Sequence, residues 1–194
     1  NPNTGEGRTQ ANSASFTTAR NAGSGSVTDT NDIPEGALSG ATYFIGRVTL
    51  PFNTASLGSN AIVTAANVAL YRDDSVVAFS NADSSSVDLV TTTQADPTTQ
   101  AAADYSTFSF TSKGSFSYAS TSNNATSTIT PSFEFAVSLT ANSKLGVIDD
   151  RDLTNTAPTG LNLIGFQNRS AAHPPVLTIT ASGMGTDSSY SFFA

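Results

Sequence analysis

The sequence predicts an all-β protein, a jelly-roll β-sandwich of two antiparallel sheets with at most one short helix. Three observations carry this. Most apolar residues recur with period two in runs of strand length. Those runs are separated by clusters of Gly, Pro, Asn, Asp and Ser that punctuate turns. The region 155–181 combines a Pro-Gly turn at Pro158 and Gly160, an apolar run from Leu161 to Phe166, and the pair Pro174 and Pro175. It then ends in Val176, Leu177, Thr178, Ile179, Thr180 and Ala181, a β-branched run of period two and the pattern of a closing strand.

The chain in order supports the same class. Residues 1–14 are polar, contain glycine and lack any large apolar side chain, which predicts an N-terminal extension outside the fold. Residues 15–20 predict a first strand around Phe16, and residues 28–40 a loop holding Asp29, Asp32 and Glu35 around Pro34 and Gly36. Residues 43–52 predict a strand with two useful faces: Phe44, Val48, Leu50 and Phe52 on one, Tyr43, Ile45, Arg47 and Thr49 on the other. Residues 62–72 alternate again around Val68 and Leu70. The runs 75–81 and 87–93 predict a hairpin, and 105–111 with 115–119 a second one. Between them Asp96, Pro97 and the residues to 103 carry the one helical signal, an N-cap followed by a first-turn proline. Residues 131–140 show the cleanest alternation, with Phe133, Phe135, Val137 and Leu139 on one face. Residues 144–148 predict a further short strand, followed by a charged loop at 149–152. The domain is therefore placed at 15–182, flanked by the extension 1–14 and a C-terminal extension 183–194.

The totals exclude several functions. With 194 residues, one all-β domain accounts for the chain. Fifteen acidic against eight basic residues give a net charge of -7, which disfavours nucleic acid as a partner. No run approaches the roughly 18 apolar residues of a membrane span. No cysteine is present, so disulfides, thiol nucleophiles and zinc-thiolate sites are excluded. The chain opens on Asn1 and holds only two lysines, Lys113 and Lys144, in a Ser/Thr-rich background. That predicts an extracellular or cell-surface protein left after removal of a signal peptide.

Three stretches together resemble the secreted DNRLRE-type β-sandwich domains, related to carbohydrate-binding-module-like surface domains. The strand 43–50 running into Pro51, Phe52, Asn53, Thr54, Ala55, Ser56 and Leu57 is similar to the family's Arg-containing strand and its Phe-Asp-Thr-Ser-Ser-Leu segment. Residues 61–71 resemble its next strand, and 149–181 its charged loop, Pro-x-Gly turn, apolar strand and final Pro-x-Leu-x-Val strand. The resemblance implies a jelly-roll fold and a place at the cell surface or in the matrix. Two departures bear on function: Asn53 replaces the family's acidic residue, and Gln167, Asn168 and Arg169 stand where the naming segment falls. Sugar-binding residues are therefore not carried over, and the chain has no Trp for a saccharide platform.

No residue pattern for catalysis is present, and a non-enzymatic protein is predicted. His173 is the only histidine and sits beside two prolines, as a loop residue does. Asp149, Asp150 and Asp152 offer hard oxygens in one short loop and are the candidate ligands of calcium, the one cofactor considered; an acidic turn with Arg151 as counterion is the alternative. Asp73 with Asp74, and Asp29 with Asp32 and Glu35, rank below them. Asn124-Ala125-Thr126 and Asn168-Arg169-Ser170 fit the N-glycosylation acceptor pattern at Asn124 and Asn168.

The C-terminus is the sharpest feature. Tyr190, Phe192 and Phe193 form a β-competent segment for which the inferred sandwich has no slot. Addition of this strand to a neighbour's sheet edge buries the aromatics, and head-to-tail repetition makes a filament. The alternative is that it folds back as an edge strand of its own domain. The expected function is thus a subunit of an extracellular filament, pilus-like fibre or sheath, with copies of itself as partner. The competing expectations are a carbohydrate-binding or adhesive surface module and a virion decoration or fibre protein.

Overall fold

The computed structural model describes residues 5–28, 32–130, 137–182 and 188–194. Its elements begin with strand β1 (Gly7–Ser13), helix α1 (Phe16–Arg20), β2 (Ser26–Thr28), β3 (Glu35–Ser39), β4 (Thr42–Asn53) and β5 (Ile62–Arg72). They continue with β6 (Ser80–Asn81), β7 (Ser86–Thr91), β8 (Gly114–Ser117), β9 (Ala125–Ile129) and β10 (Asn142–Asp149). Helix α2 (Asp150–Leu153), β11 (Asn162–Leu163), β12 (Val176–Ser182) and β13 (Ser188–Phe193) complete the described chain.

Two antiparallel sheets form the sandwich. One runs β6-β11-β3-β4-β10-β7-β8, with β1 and β2 joined to it; the other runs β13-β12-β5-β9. The long strands β4, β5, β7, β9, β10 and β12 alternate between the sheets, so each connection crosses over the core. β4 organises the larger sheet. Its register with β1 runs from Tyr43 to Thr49 and overlaps both the β3 register, ending at Gly46, and the β10 register, starting at Val48. Hence β1 takes one edge of β4, while β3 and β10 share the other end to end.

Both faces of β4 are covered, as its two-faced alternation predicts. Val48, Leu50 and Phe52 enter the main core between the sheets, opposite Val68 and Leu70 of β5 and Leu177 and Ile179 of β12. Ile45 points the other way into a second cluster with Ala11, Phe16, Ala19 and Tyr105. Each such buried side chain contributes about 1.5–3 kcal/mol, so this single strand anchors much of the fold.

Several expectations change. The leader is not outside the fold: β1 is paired on both edges, by β2 and β4, and small residues suffice because Gly7, Thr9 and Ala11 are the ones buried. Residues 16–20 form α1 instead of a strand, since the Ser15 hydroxyl accepts from the Thr18 amide at 3.4 Å and Phe16 and Ala19, three apart, share the buried face. The short helix expected at 96–103 is replaced by an Asp96 turn, in which Oδ1 accepts from the Thr98 amide at 2.8 Å, and a 3-10 stretch at Ala102–Thr107. With α1 and α2 the described residues hold two short α-helices, one more than expected, each a single capped segment next to a strand. Neither hairpin forms: β6 pairs with β11, while β7 pairs with β10 and β8. The loop at 28–40 yields β3. The strand expected at 131–140 falls mostly on 131–136, outside the described residues; Val137 and Leu139 pack on the main core without strand pairing.

Candidate functional site: the C-terminal strand

β13 has a place in its own sandwich, which corrects the reading of a segment without a slot. It pairs antiparallel with β12 from Val176 opposite Phe193 to Ala181 opposite Ser188, and forms the edge of the smaller sheet. Period two then sorts its side chains. Tyr190 and Phe192 turn inward, stack with ring centroids 6.4 Å apart and pack on the main core; Phe193 turns outward and remains 56% exposed. Ala194 is buried, and its amide donates to the Pro175 carbonyl at 3.3 Å.

Beyond its pairing with β12, the strand borders open space. A groove of about 630 Å³ is lined by Ser191, Phe192 and Phe193 with Asn53, Ser56 and Arg169. On the outer face a smaller hollow of about 250 Å³ lies among Phe193, Val176, Pro174, Tyr71 and His173. His173 stacks on Tyr71 at 4.2 Å and its amide donates to Gln167 Oε1 at 2.8 Å, so it is a loop residue with a packing role. Strands β9, β12 and β13 carry no charged residue, and β5 carries only Arg72, whose guanidinium is buried.

The three candidate calcium ligands are not brought together. Asp152 is buried and bidentate with Arg47: Nε donates to Oδ2 at 2.6 Å and Nη2 to Oδ1 at 2.9 Å. Asp149 turns elsewhere, accepting from the Tyr118 hydroxyl at 2.8 Å, the Ser84 hydroxyl at 2.7 Å and the Arg151 amide at 2.8 Å. Burial pushes the Asp149 carboxyl up to about 7 even against these donors. Asp150 accepts from the Ser85 hydroxyl at 2.5 Å. A three-residue spacing that looks like a ligand loop is thus a cap and an ion pair, and no group of three acidic or histidine ligands exists among the described residues.

The secondary acidic candidates separate in the same way. Asp74 pairs with Arg72 at 2.7 Å, and Asp73 accepts from Ser75 and Gln167. Glu35 meets Arg8 at 3.4 Å and Gln10 at 2.5 Å; Asp29 lies outside the described residues. Asp32 is buried beside Glu6, which carries no local sequence signal because it stands in a polar, glycine-containing stretch. Asn124 is exposed with φ of 55° in the turn before β9, while Asn168 is half-buried with its Oδ1 accepting from the Ser170 amide at 3.0 Å.

No known family, curated protein or solved structure matches the chain.

Proposed function

We propose that the chain is a non-enzymatic extracellular structural subunit, which assembles into a filament, fibre or sheath by exchanging β13 between copies. The observation that carries this reading is the double character of β13. It packs the partly buried Tyr190 and Phe192 on the main core and is followed by the buried Ala194, yet it lies at a sheet edge with β12 as its one strand partner among the described residues. A slot beside β12 that one copy fills with its own strand is filled equally well by the strand of another, with the same contacts and register. A net charge of -7 is carried away from the strands that would meet, which removes repulsion at the contact. Electron microscopy and sizing of the full chain against a chain ending at Ser182 test it. The full chain polymerises and the truncated one stays monomeric; polymers of the truncated chain would remove β13 from the mechanism.

A second reading has an observation of its own. The exposed Phe193 ring, the Tyr71 and His173 stack and Pro174 border a hollow with Thr126 and no charge, which suits the apolar face of a neutral sugar. Glycan binding by a non-polymerising chain, lost on Phe193→Ala, supports that adhesive role over assembly.

A further inference from the structure

The least satisfied polar group among the described residues lies away from β13, at the entry to β1. Glu6 immediately precedes that strand, and Asp32 precedes Ile33 just ahead of β3. Both side chains are buried, Asp32 with 1% of its surface exposed, and their carboxyls lie close enough to hydrogen-bond each other. Each is held from behind. The Arg169 amide donates to Glu6 Oε2 at 2.8 Å, and Arg169 Nη1 donates to the Glu6 carbonyl at 2.9 Å. The Phe166 amide donates to the Asp32 carbonyl at 2.9 Å. Three segments remote in sequence are thereby fixed around one point. What remains at that point is Glu6 Oε1 with both Asp32 oxygens, all buried and reached by no N–H or O–H donor of the protein.

Buried carboxylate oxygens require a proton, a donor or a cation. Arg169 is the charged group that faces the pair; its amide donates to Glu6 Oε2 and its Nη1 to the Glu6 carbonyl, and no donor of it reaches Glu6 Oε1 or the Asp32 oxygens. A single shared proton joins one oxygen of Asp32 to one of Glu6 and leaves an oxygen over. A cation takes all three at once. An all-oxygen donor set selects a hard cation, and the flexible coordination of calcium accepts carbonyl and water ligands alongside two carboxylates.

The geometry points to a calcium site at Glu6 Oε1, Asp32 Oδ1 and Asp32 Oδ2, which pins the start of β1 to the segment before β3 and to the loop holding Arg169. This places calcium away from the 149–152 loop and is independent of strand exchange.

The test uses the full chain, stripped with a chelator and titrated with calcium chloride, followed by thermal unfolding and calorimetry. The melting temperature rises saturably, with half-saturation on the order of 0.1–1 mM, the range of extracellular modules. Magnesium gives a weaker response. Asp32→Asn weakens calcium binding at least tenfold, whereas Asp150→Asn binds as the wild type does. A wild-type chain indifferent to both calcium and chelator overturns the proposal even if the Asp32 variant fails to fold. So does an Asp32→Asn variant that retains calcium binding. Calcium indifference together with a pH-dependent stability that Asp32→Asn abolishes assigns the pair to a shared proton and likewise overturns it.

Discussion

Replacing Asp152 by Ala strands a guanidinium in the interior. The Arg47 and Asp152 side chains are 2% and 0% exposed, and Asp152 supplies both of its oxygens to Arg47. Removing one member of a buried pair costs about 3–5 kcal/mol, because the other charge stays desolvated. Arg47 keeps part of its environment: Nη1 donates to the Tyr105 carbonyl at 2.7 Å, Nη2 to the Arg20 carbonyl at 2.8 Å, and its guanidinium lies 4.1 Å from the Tyr105 ring centroid. The expected loss for Asp152→Ala therefore sits at the lower end, about 3 kcal/mol. Arg47→Leu with Asp152→Ala removes both charges and leaves the Leu stem to pack on Tyr105. The double variant is expected to be more stable than Asp152→Ala alone by about 2 kcal/mol. Urea unfolding of the four members of the cycle, with the slope checked for constancy, measures both numbers. A loss below about 1 kcal/mol for Asp152→Ala, or a double variant as unstable as the sum of the singles, refutes the reasoning.

Asp149 gives a pH signature with a defined sign. Its folded pKa, raised to about 7, lies above the ordinary 3.8, so its contribution to stability is complete at low pH and is lost as pH rises through 7. The shift corresponds to roughly 4 kcal/mol across that window, and Asp149→Asn should flatten the fall of melting temperature between pH 4 and 8 by an amount of that order. A parallel wild-type and variant profile contradicts it. Expressed through a eukaryotic secretory pathway, the chain should be modified at Asn124, whose side chain is exposed in a turn, and spared at Asn168, which is half-buried. Mass mapping of the glycopeptides reads this directly.

The long strands were legible because their burial follows period two. β5 begins and ends where the alternation does, and both faces of β4 are used as its pattern indicates. Partner choice was not legible: β7 lies between β10 and β8 through contacts far apart in sequence, which local turn residues do not encode. β1 escaped notice because its burial rests on Gly7, Thr9 and Ala11, whose value comes from backbone pairing and not from apolar area. The 149–152 loop misled for a related reason. Carboxylate spacing says nothing about direction, and Arg47, far along the chain, turns Asp152 inward. Glu6 and Asp32 belong to two segments with no local pattern in common, and only the packing of Arg169 and Phe166 unites them.

The chain contains no cysteine, which makes strand exchange directly measurable. Thr178 of β12 lies opposite Ser191 of β13, and such antiparallel pairs have Cα atoms about 4.5–5.5 Å apart, within disulfide reach. Two distinguishably tagged chains, one carrying Thr178→Cys and the other Ser191→Cys, are co-expressed and oxidised, and disulfide-linked heterodimers are counted on non-reducing gels. Exchange of β13 predicts abundant heterodimers that vanish on truncation at Ser182. No heterodimers, with a rapid internal disulfide when both cysteines share one chain, would show that the strand stays in its own sandwich.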